Sequence, residues 1–438
     1  MGAIATTDIL VVGGGAAGTL SAIAAARRGH KVLLIEAQGC LGGSRTMMGV
    51  DTFNGFFSPG ERTYQVVGGI SYEVVQKLMA RKAAFVRENT FGSGPVVTYE
   101  MEQLKIIYEE MVLEAGGDLL FHTSVPQAIA DGDRVGQVTI CNKAGLGEVR
   151  ARIVIDATGD MDVAASAGED FELAGADGRP VQSLTTVFYM ADVDNARAFA
   201  LSQEERTRIM QEAGASGRYN LPRIGGSIHA TPHPGYVHAN LTRVPNVDAT
   251  NPAALTRAEI EGRRQVQEYA RFLQNEYPGF EHAYLAWTAP TIGVRETRRL
   301  KGRYVLTGED VRQGAKFEDA VACCAAPIED HHAGTDVRWE FLEAGAHYQI
   351  PYRSLLPLRL TNLIVAGRCL SATHEAQASA RNSAQCMAMG EAAGTAAALA
   401  LSAGVSPGEL DPGELQRELR AQHVILEPFP VETRSLFQ

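Results

Sequence analysis

The chain has 438 residues, 45% hydrophobic and 21% charged, which marks a folded globular protein with core enough for two or three packed regions and excludes disorder over most of its length. Lys plus Arg number 40 against 51 Asp plus Glu, a net charge of −11, and without a basic run to track a phosphate backbone nucleic acid is excluded as a partner. The longest apolar stretches, such as Ala396 to Val405, fall short of the roughly 18 to 20 residues that span a bilayer, so no membrane association is expected.

From the N-terminus, Asp8 to Val12 reads as a short apolar strand that runs into Gly13-Gly14-Gly15-Ala16-Ala17-Gly18, followed by an alanine-rich helix to Arg28. After Gly29-His30, Lys31 to Glu36 is a second buried strand ending in an acid, which completes a β-α-β unit and demands a parallel sheet. Gly13, Gly15 and Gly18 at this spacing let the backbone turn tightly, approach a pyrophosphate and pack helix on sheet, while the turn into Ala16 and Ala17 offers N–H donors and the positive helix end. Glu36, 18 residues past Gly18 and followed by Ala37, is placed to accept hydrogen bonds from an adenosine ribose. A lone glycine fingerprint says little, and Gly18 could serve helix packing alone; strand, motif, helix, strand and terminal acid together point to a dinucleotide.

Residues 46 to 95 are glycine-rich and irregular, with one helix expected from Ser71 to Arg81; Glu100 to Ala115 is an amphipathic helix closed by Gly116-Gly117. Asp118 to Ile129, Arg134 to Asn142 and Gly147 to Arg150 read as successive antiparallel strands of a small meander. Ala151 to Ala157 then returns as a buried strand ending at Thr158-Gly159-Asp160. From about Asp170 to Ile350 the texture changes to alternating strands (Ser183 to Met190, Gly235 to Leu241) and polar helices (Asn251 to Tyr277), a second domain. Asn362 to Gly367 is again a buried strand, followed by a long small-residue helix from about Ala380 to Ser402. Asp8 follows a neutral start unlike a secretory signal, and Cys40, Cys141, Cys323, Cys324, Cys369 and Cys386 show neither CxxC nor zinc-ribbon spacing; the expectation is a cytoplasmic protein with reduced thiols.

Gly39-Cys40-Leu41-Gly42-Gly43-Ser44, directly after the ribose acid, resembles the second glycine turn of FAD-binding flavoproteins. With the meander, Asp156-Ala-Thr-Gly-Asp160 and Leu363-Ile-Val-Ala-Gly-Arg368, the chain resembles the glutathione-reductase-like FAD superfamily over about half its length. Arg295-Glu-Thr-Arg-Arg-Leu-Lys-Gly302 and the stretch Arg381 to Gly394 are similar to the bacterial FAD-dependent oxidoreductases, distantly related to fumarate reductase flavoproteins and aspartate oxidase. The resemblance implies an α/β fold: a Rossmann-like FAD-binding domain with parallel sheet and β-meander (1–50, 95–168 and 355–410), an inserted α+β substrate or cap domain (51–94 and 169–354), and a C-terminal tail (411–438). It implies FAD held by Gly42, Gly43, Ser44 and Arg45, by Val125, by Ala157, Thr158 and Gly159, and by Gly367 and Arg368. Ser44-Arg45-Thr46 stands where fumarate reductases carry a flavin-linked histidine in a Ser-His-Thr context, so noncovalent FAD is expected. In this superfamily the last long helix points its N-terminus at the flavin pyrimidine, and Arg381 at that start would add a full positive charge.

Hydride transfer from a carbon bearing a hydroxyl or amine needs a group to take the accompanying proton. His332 in Asp330-His331-His332, Tyr352 and Arg295 are the expected catalytic residues, with His238, from a second cluster with His229 and His233, the next candidate; for each histidine a plain loop role is the alternative. No metal is expected, since Pro232 and Pro234 break any helix that would align His229, His233 and His238 and no carboxylate falls between them. Cys323-Cys324 reads as two core thiols. No second GxGxxG suggests a nicotinamide domain, and neither the Trp-x-Trp-x-Ile-Pro of flavin halogenases nor the Gly-Asp-Ala-Ala-His of aromatic hydroxylases occurs. The expected function is an FAD-dependent dehydrogenase or oxidase that takes a hydride from a small polar organic substrate onto flavin N5 and passes electrons to O2 or another redox carrier. The alternatives are a fumarate-reductase-like ene reductase and a non-catalytic nucleotide-binding protein.

Overall fold

In the computed structural model, which describes residues 4–176, 178–331, 337–433 and 436, the apolar runs Ile4–Val12 and Val32–Ile35 lie side by side as parallel strands. The helix Ala16–Ala26 between them carries the chain back to the same end of the sheet. Asp118–Leu120 extends the parallel sheet beyond Val32–Ile35; Gly145–Asp156 and then Leu363–Val365 extend it on the other side. Ile9, Leu10, Val11 and Val12 are all buried, the continuous apolar run of a parallel strand covered on both faces.

The meander differs from expectation in two places. His122 takes a left-handed φ of 51° and splits the strand expected over 118–129: Asp118–Leu120 joins the parallel sheet, and only Ser124–Asp131 pairs antiparallel with Arg134–Asn142. The separate strands expected at 147–150 and 151–157 are a single 12-residue strand, Gly145–Asp156. Its first residues pair antiparallel with 138–142 and its last three parallel with Leu363–Val365, so one strand fuses the meander to the parallel sheet.

The long C-terminal helix is also corrected. His374–Ala380 is a helix of its own, and Arg381 and Asn382 break the chain before Ser383–Ala403 begins. The break has a local cause: Asn382 is extended (ψ 153°) with its side-chain amide donating to the Ser379 carbonyl, while the crossing segment at Asn54 accepts the N–H of Ala384. By length and composition Ser383–Ala403 could cross a bilayer, but 89% of its apolar window is buried inside the protein. It lies against Ala16–Ala26 at a distance only glycine allows. A Cβ on Gly390 would sit 2.1 Å from the Ala17 carbonyl oxygen, and one on Gly394 2.2 Å from that of Ser21. Ser21 Oγ donates to the Gly390 carbonyl at 2.9 Å across the same contact.

Between these segments the chain builds a four-stranded antiparallel sheet, in the order Ser227–Ala230, Val237–Asn240, Phe188–Ala191, Tyr284–Thr288. The 25-residue helix Pro252–Glu276, capped by Asn251 through the N–H groups of Ala253 and Ala254, covers one face. Val266, Tyr269, Phe272 and Leu273 recur at helical spacing on its inner side and meet Phe188, Met190, Ile228, Val237 and Ala239. Side chains alternate along a strand, so the residues between them, Tyr189, His229, His238 and Asn240, project from the other face.

Candidate active site

The glycine turn after Ile4–Val12 is held by contacts that exclude a side chain. Gly13 has φ 95°, and a Cβ there would lie 2.6 Å from the Ala157 carbonyl oxygen. Gly18 packs on the Gly13 carbonyl, the helix-packing role, while Gly15 faces open space and bridges Gly42 of the second glycine turn, whose N–H donates to Gly14 at 2.7 Å. The helix Ala16–Ala26 starts at Gly15 with no side-chain cap and no acid in its first turn, leaving its first N–H groups and its positive end to a ligand. Beside it opens a cleft of about 590 Å³, in the size range of small-molecule sites. Of the residues expected to hold the cofactor, all but Gly18 and Gly42 line this cleft. Glu36 accepts the N–H of Gly14 at 2.6 Å through one oxygen and that of Gln38 at 2.8 Å through the other, which fixes the carboxylate and leaves lone pairs for ribose hydroxyls.

The far wall is set by the turn after Gly145–Asp156. Asp156 is fully buried and accepts the N–H of Thr158 and of Ala164, which holds Ala157, Thr158 and Gly159 against the cleft. Arg368 lines the same wall, paired with Asp160 at 2.6 Å. Arg45 also faces the cleft and donates to the Thr52 carbonyl at 2.9 Å. Arg381, in the break between the two helices, donates to Gln182 at 3.0 Å and to the Glu329 carbonyl at 3.2 Å, and its buried Nε has no partner. Arg295 donates to Thr185 Oγ1 at 2.8 Å. Burial and then the nearby Arg381 and Arg223 push the Arg295 guanidinium well down from its usual range. Glu329 stands among these cations: burial alone would raise it, but His331, Arg381 and Arg295 hold it at about 2.

A smaller recess of about 90 Å³ adjoins the cleft, and Asn54, Asn240, Glu329 and Asn382 line both. In its wall His229 and His238 sit opposite each other on neighbouring strands, rings stacked 4.2 Å apart, over a carboxylate brought from Asp51. His229 Nε2 is 2.8 Å and His238 Nε2 3.7 Å from Asp51 Oδ1; the three residues are 7%, 2% and 1% exposed. Both ring nitrogens of His238 are buried and without a hydrogen-bond partner. Burial pushes His238 down to about 3, against the pull of Asp51, and holds His229 well below its ordinary value; burial also raises Asp51. Arg87 adds a positive charge beside the cluster, and its own guanidinium is lowered to about 10 by burial.

The expected catalytic residues divide. Arg295 lines the cleft and His238 the recess. Tyr352 does not reach either: it is buried in the core and its hydroxyl donates to the Pro407 carbonyl at 3.0 Å, because the apolar strand Tyr348–Pro351 before it carries it inward. His332 lies outside the described residues. His233 stays apart from its two neighbours, largely exposed, 3.5 Å from Glu100. Cys323 and Cys324 are buried free thiols. Asp51, Arg87 and Asn54 come from the irregular stretch that sequence periodicity could not order, so no sequence signal singled them out. For His229 and His238 a signal was present, the alternation Ile-His and Val-His-Ala-Asn that places both on one sheet face. His331, next in sequence to the expected His332, is bonded to Glu329 at 2.8 Å and lines the cleft.

Three solved structures illustrate the likeness of this fold. A geranylgeranyl bacteriochlorophyll reductase-like protein from Thermoplasma acidophilum shares 15% identity over 96% of this chain and 84% of its own (TM-score 0.50). The p-nitrophenol 4-monooxygenase PnpA from Pseudomonas putida shares 13% over 94% and 83% (TM-score 0.49). The flavin-dependent brominase Bmp2 shares 11% over 95% and 84% (TM-score 0.46). No curated protein matches the sequence. At these identities the likeness is one of fold alone, a Rossmann-type α/β flavoprotein. The model of the family described as FAD dependent oxidoreductase matches residues 8–419. The open cradle at Gly15, the uncapped helix start and the unpartnered Arg381 Nε all suit such a cofactor, and the chain belongs to the FAD dependent oxidoreductase family, an enzyme family with FAD as its cofactor.

Proposed function

We propose that this enzyme oxidises a small polar organic substrate by hydride transfer to FAD, with the histidine pair of the recess taking the proton. The observation that carries the proposal is the opening between the two spaces: the recess bearing Asp51, His229 and His238 meets the cofactor cleft at Asn54, Asn240, Glu329 and Asn382. FAD supplies the hydride acceptor at N5 when bound. Gly13, Gly15 and the N–H groups after them would hold the pyrophosphate, Glu36 the ribose, and Arg381 would answer negative charge on the ring. Ser44-Arg45-Thr46 offers no histidine to the flavin, which supports noncovalent binding. Electrons leave to O2 or another redox carrier, in a cytoplasmic setting.

The proton chemistry rests on side chains of this chain. His229 Nε2 lies within hydrogen-bond distance of Asp51 Oδ1, 2.8 Å, so the two share a proton across that contact. Burial holds His238 uncharged, and neither ring nitrogen has a hydrogen-bond partner, which leaves a ring lone pair for a substrate proton. Once protonated it faces Asp51 at 3.7 Å, so the buried carboxylate stabilises the charge that appears. The same three groups could ligate a divalent ion, but Arg87 already sets a positive charge beside them, which favours the proton role.

Arg381→Met removes the buried cation from the cleft wall and should make flavin reduction harder by about 1 to 3 kcal/mol, read as a lower midpoint potential; an unchanged potential would remove Arg381 from the flavin environment. Direction is tested by anaerobic mixing of the yellow holoenzyme with alcohols, amines and sugars. Bleaching by a donor alone supports the proposal, whereas a flavin that no donor reduces, and that re-oxidises only with an activated alkene after chemical reduction, would make the enzyme an ene reductase.

A further inference from the structure

Resting on that reading, we infer that the substrate is a small neutral polyol or sugar, recognised through its hydroxyl groups by the amides of the recess. Asn54, Asn240 and Asn382 each bring one unused hydrogen-bonding group to it. Asn54 Oδ1 accepts from Asn89 at 3.2 Å and Asn240 Oδ1 from Arg223 at 2.9 Å, while the Asn382 amide donates to Ser379 at 2.9 Å. Among the described residues, the two remaining NH2 groups and the Asn382 carbonyl make no hydrogen bond. Two donors and one acceptor thus line one small space beside the His238 ring.

A hydroxyl both donates and accepts, so neighbouring hydroxyls satisfy such a mixture; a carboxylate only accepts and an ammonium only donates. The arginines of the recess already make contacts of their own. Arg87 donates to Thr98 Oγ1 at 2.8 Å, to the Glu88 carbonyl at 3.1 Å and to Thr52 Oγ1 at 3.4 Å, and Arg223 is held on Asn240. Arg87 stands beside Asp51, so this wall of the recess already carries a cation and a carboxylate together. The recess is small, about 90 Å³, which admits a small molecule or one end of a larger one. The reaction balances: a carbinol carbon loses a hydride to FAD, its hydroxyl loses a proton to His238, a C=O forms, and two electrons are later removed by the acceptor.

The test is anaerobic flavin reduction of the holoenzyme by glycerol, erythritol, myo-inositol and glucose, beside glycerate, gluconate and serinol as charged counterparts, in wild type and in Asn54→Ala. Neutral polyols should bleach the flavin at least tenfold faster than the charged compounds at equal concentration. Asn54→Ala should raise the half-saturating polyol concentration at least tenfold while the FAD content stays near wild type. Reduction by glycerate, gluconate or serinol in preference to the polyols overturns this inference and leaves the oxidase or dehydrogenase reading standing. Reduction by polyols that Asn54→Ala does not alter overturns the recess as their seat. A holoenzyme that neither the neutral nor the charged compounds reduce overturns this inference, and the hydride-donor reading falls with it only if the wider set of alcohols, amines and sugars also fails.

Discussion

His238→Ala should lower the rate of flavin reduction by roughly 10² to 10⁴, the usual contribution of a positioned acid or base, while FAD content and midpoint potential stay close to wild type. His238 lines the recess and is not among the residues of the cleft wall. Its pH dependence should be unusual. With burial holding it at about 3, His238 is an uncharged base throughout the neutral and mildly acidic range, so reduction should lack the inflection near 6.5 of an ordinary histidine. The stability sign follows from the same shift. The folded pKa lies below the unfolded value, so unfolding takes up a proton between about 6.5 and 3, and the folded state loses stability as pH falls through that window. His331→Ala is the control, because His331 is bonded to Glu329 in the cleft. If it, and not His238→Ala, abolishes reduction, the proton leaves through the other dyad.

Gly390→Ala should destabilise the protein by about 3 kcal/mol or more, and it should weaken FAD binding in addition. The new methyl would lie 2.1 Å from the Ala17 carbonyl oxygen and 2.7 Å from the Ala17 carbonyl carbon and Cα. No rotamer relieves a clash with backbone, so two core helices must separate. Ala17 is also a wall residue of the cofactor cleft, which couples the packing defect to the site. Chemical denaturation of apo and holo protein measures both effects: the apo midpoint should fall, and the added stability that FAD confers should shrink. A variant with wild-type midpoints would mean that the helices are not held at this separation.

The cofactor half was legible because its chemistry depends on backbone. A turn that lets phosphate approach needs glycine at fixed spacing, a parallel strand buried on both faces needs an unbroken apolar run, and both leave marks within a few residues of each other. What was lost there was continuity: His122 in a left-handed conformation and the Arg381-Asn382 break are single-residue events that no periodicity announces. The recess was hidden because it is assembled from distant segments. Asp51 meets two histidines 178 and 187 residues further on only because His229 and His238 face each other across an antiparallel pair. The absence of a carboxylate between the histidines therefore said nothing about one reaching them in space. Tyr352 looked suitable by position and chemistry, yet the apolar strand before it takes its hydroxyl into the core, which sequence proximity to the cofactor segments could not reveal.

The most direct test is the structure of the oxidised holoenzyme with a donor bound under anaerobic, non-reducing conditions, for instance a fluorinated polyol that binds without giving up a hydride. The account predicts the ligand in the recess below Asn54 and Asn240, with the hydroxyl of the carbon to be oxidised within about 2.6 to 3.2 Å of His238 Nε2 and the C–H of that carbon turned to the flavin. A ligand lodged elsewhere, or one whose hydroxyl faces His331 and leaves His238 without a contact, would contradict it.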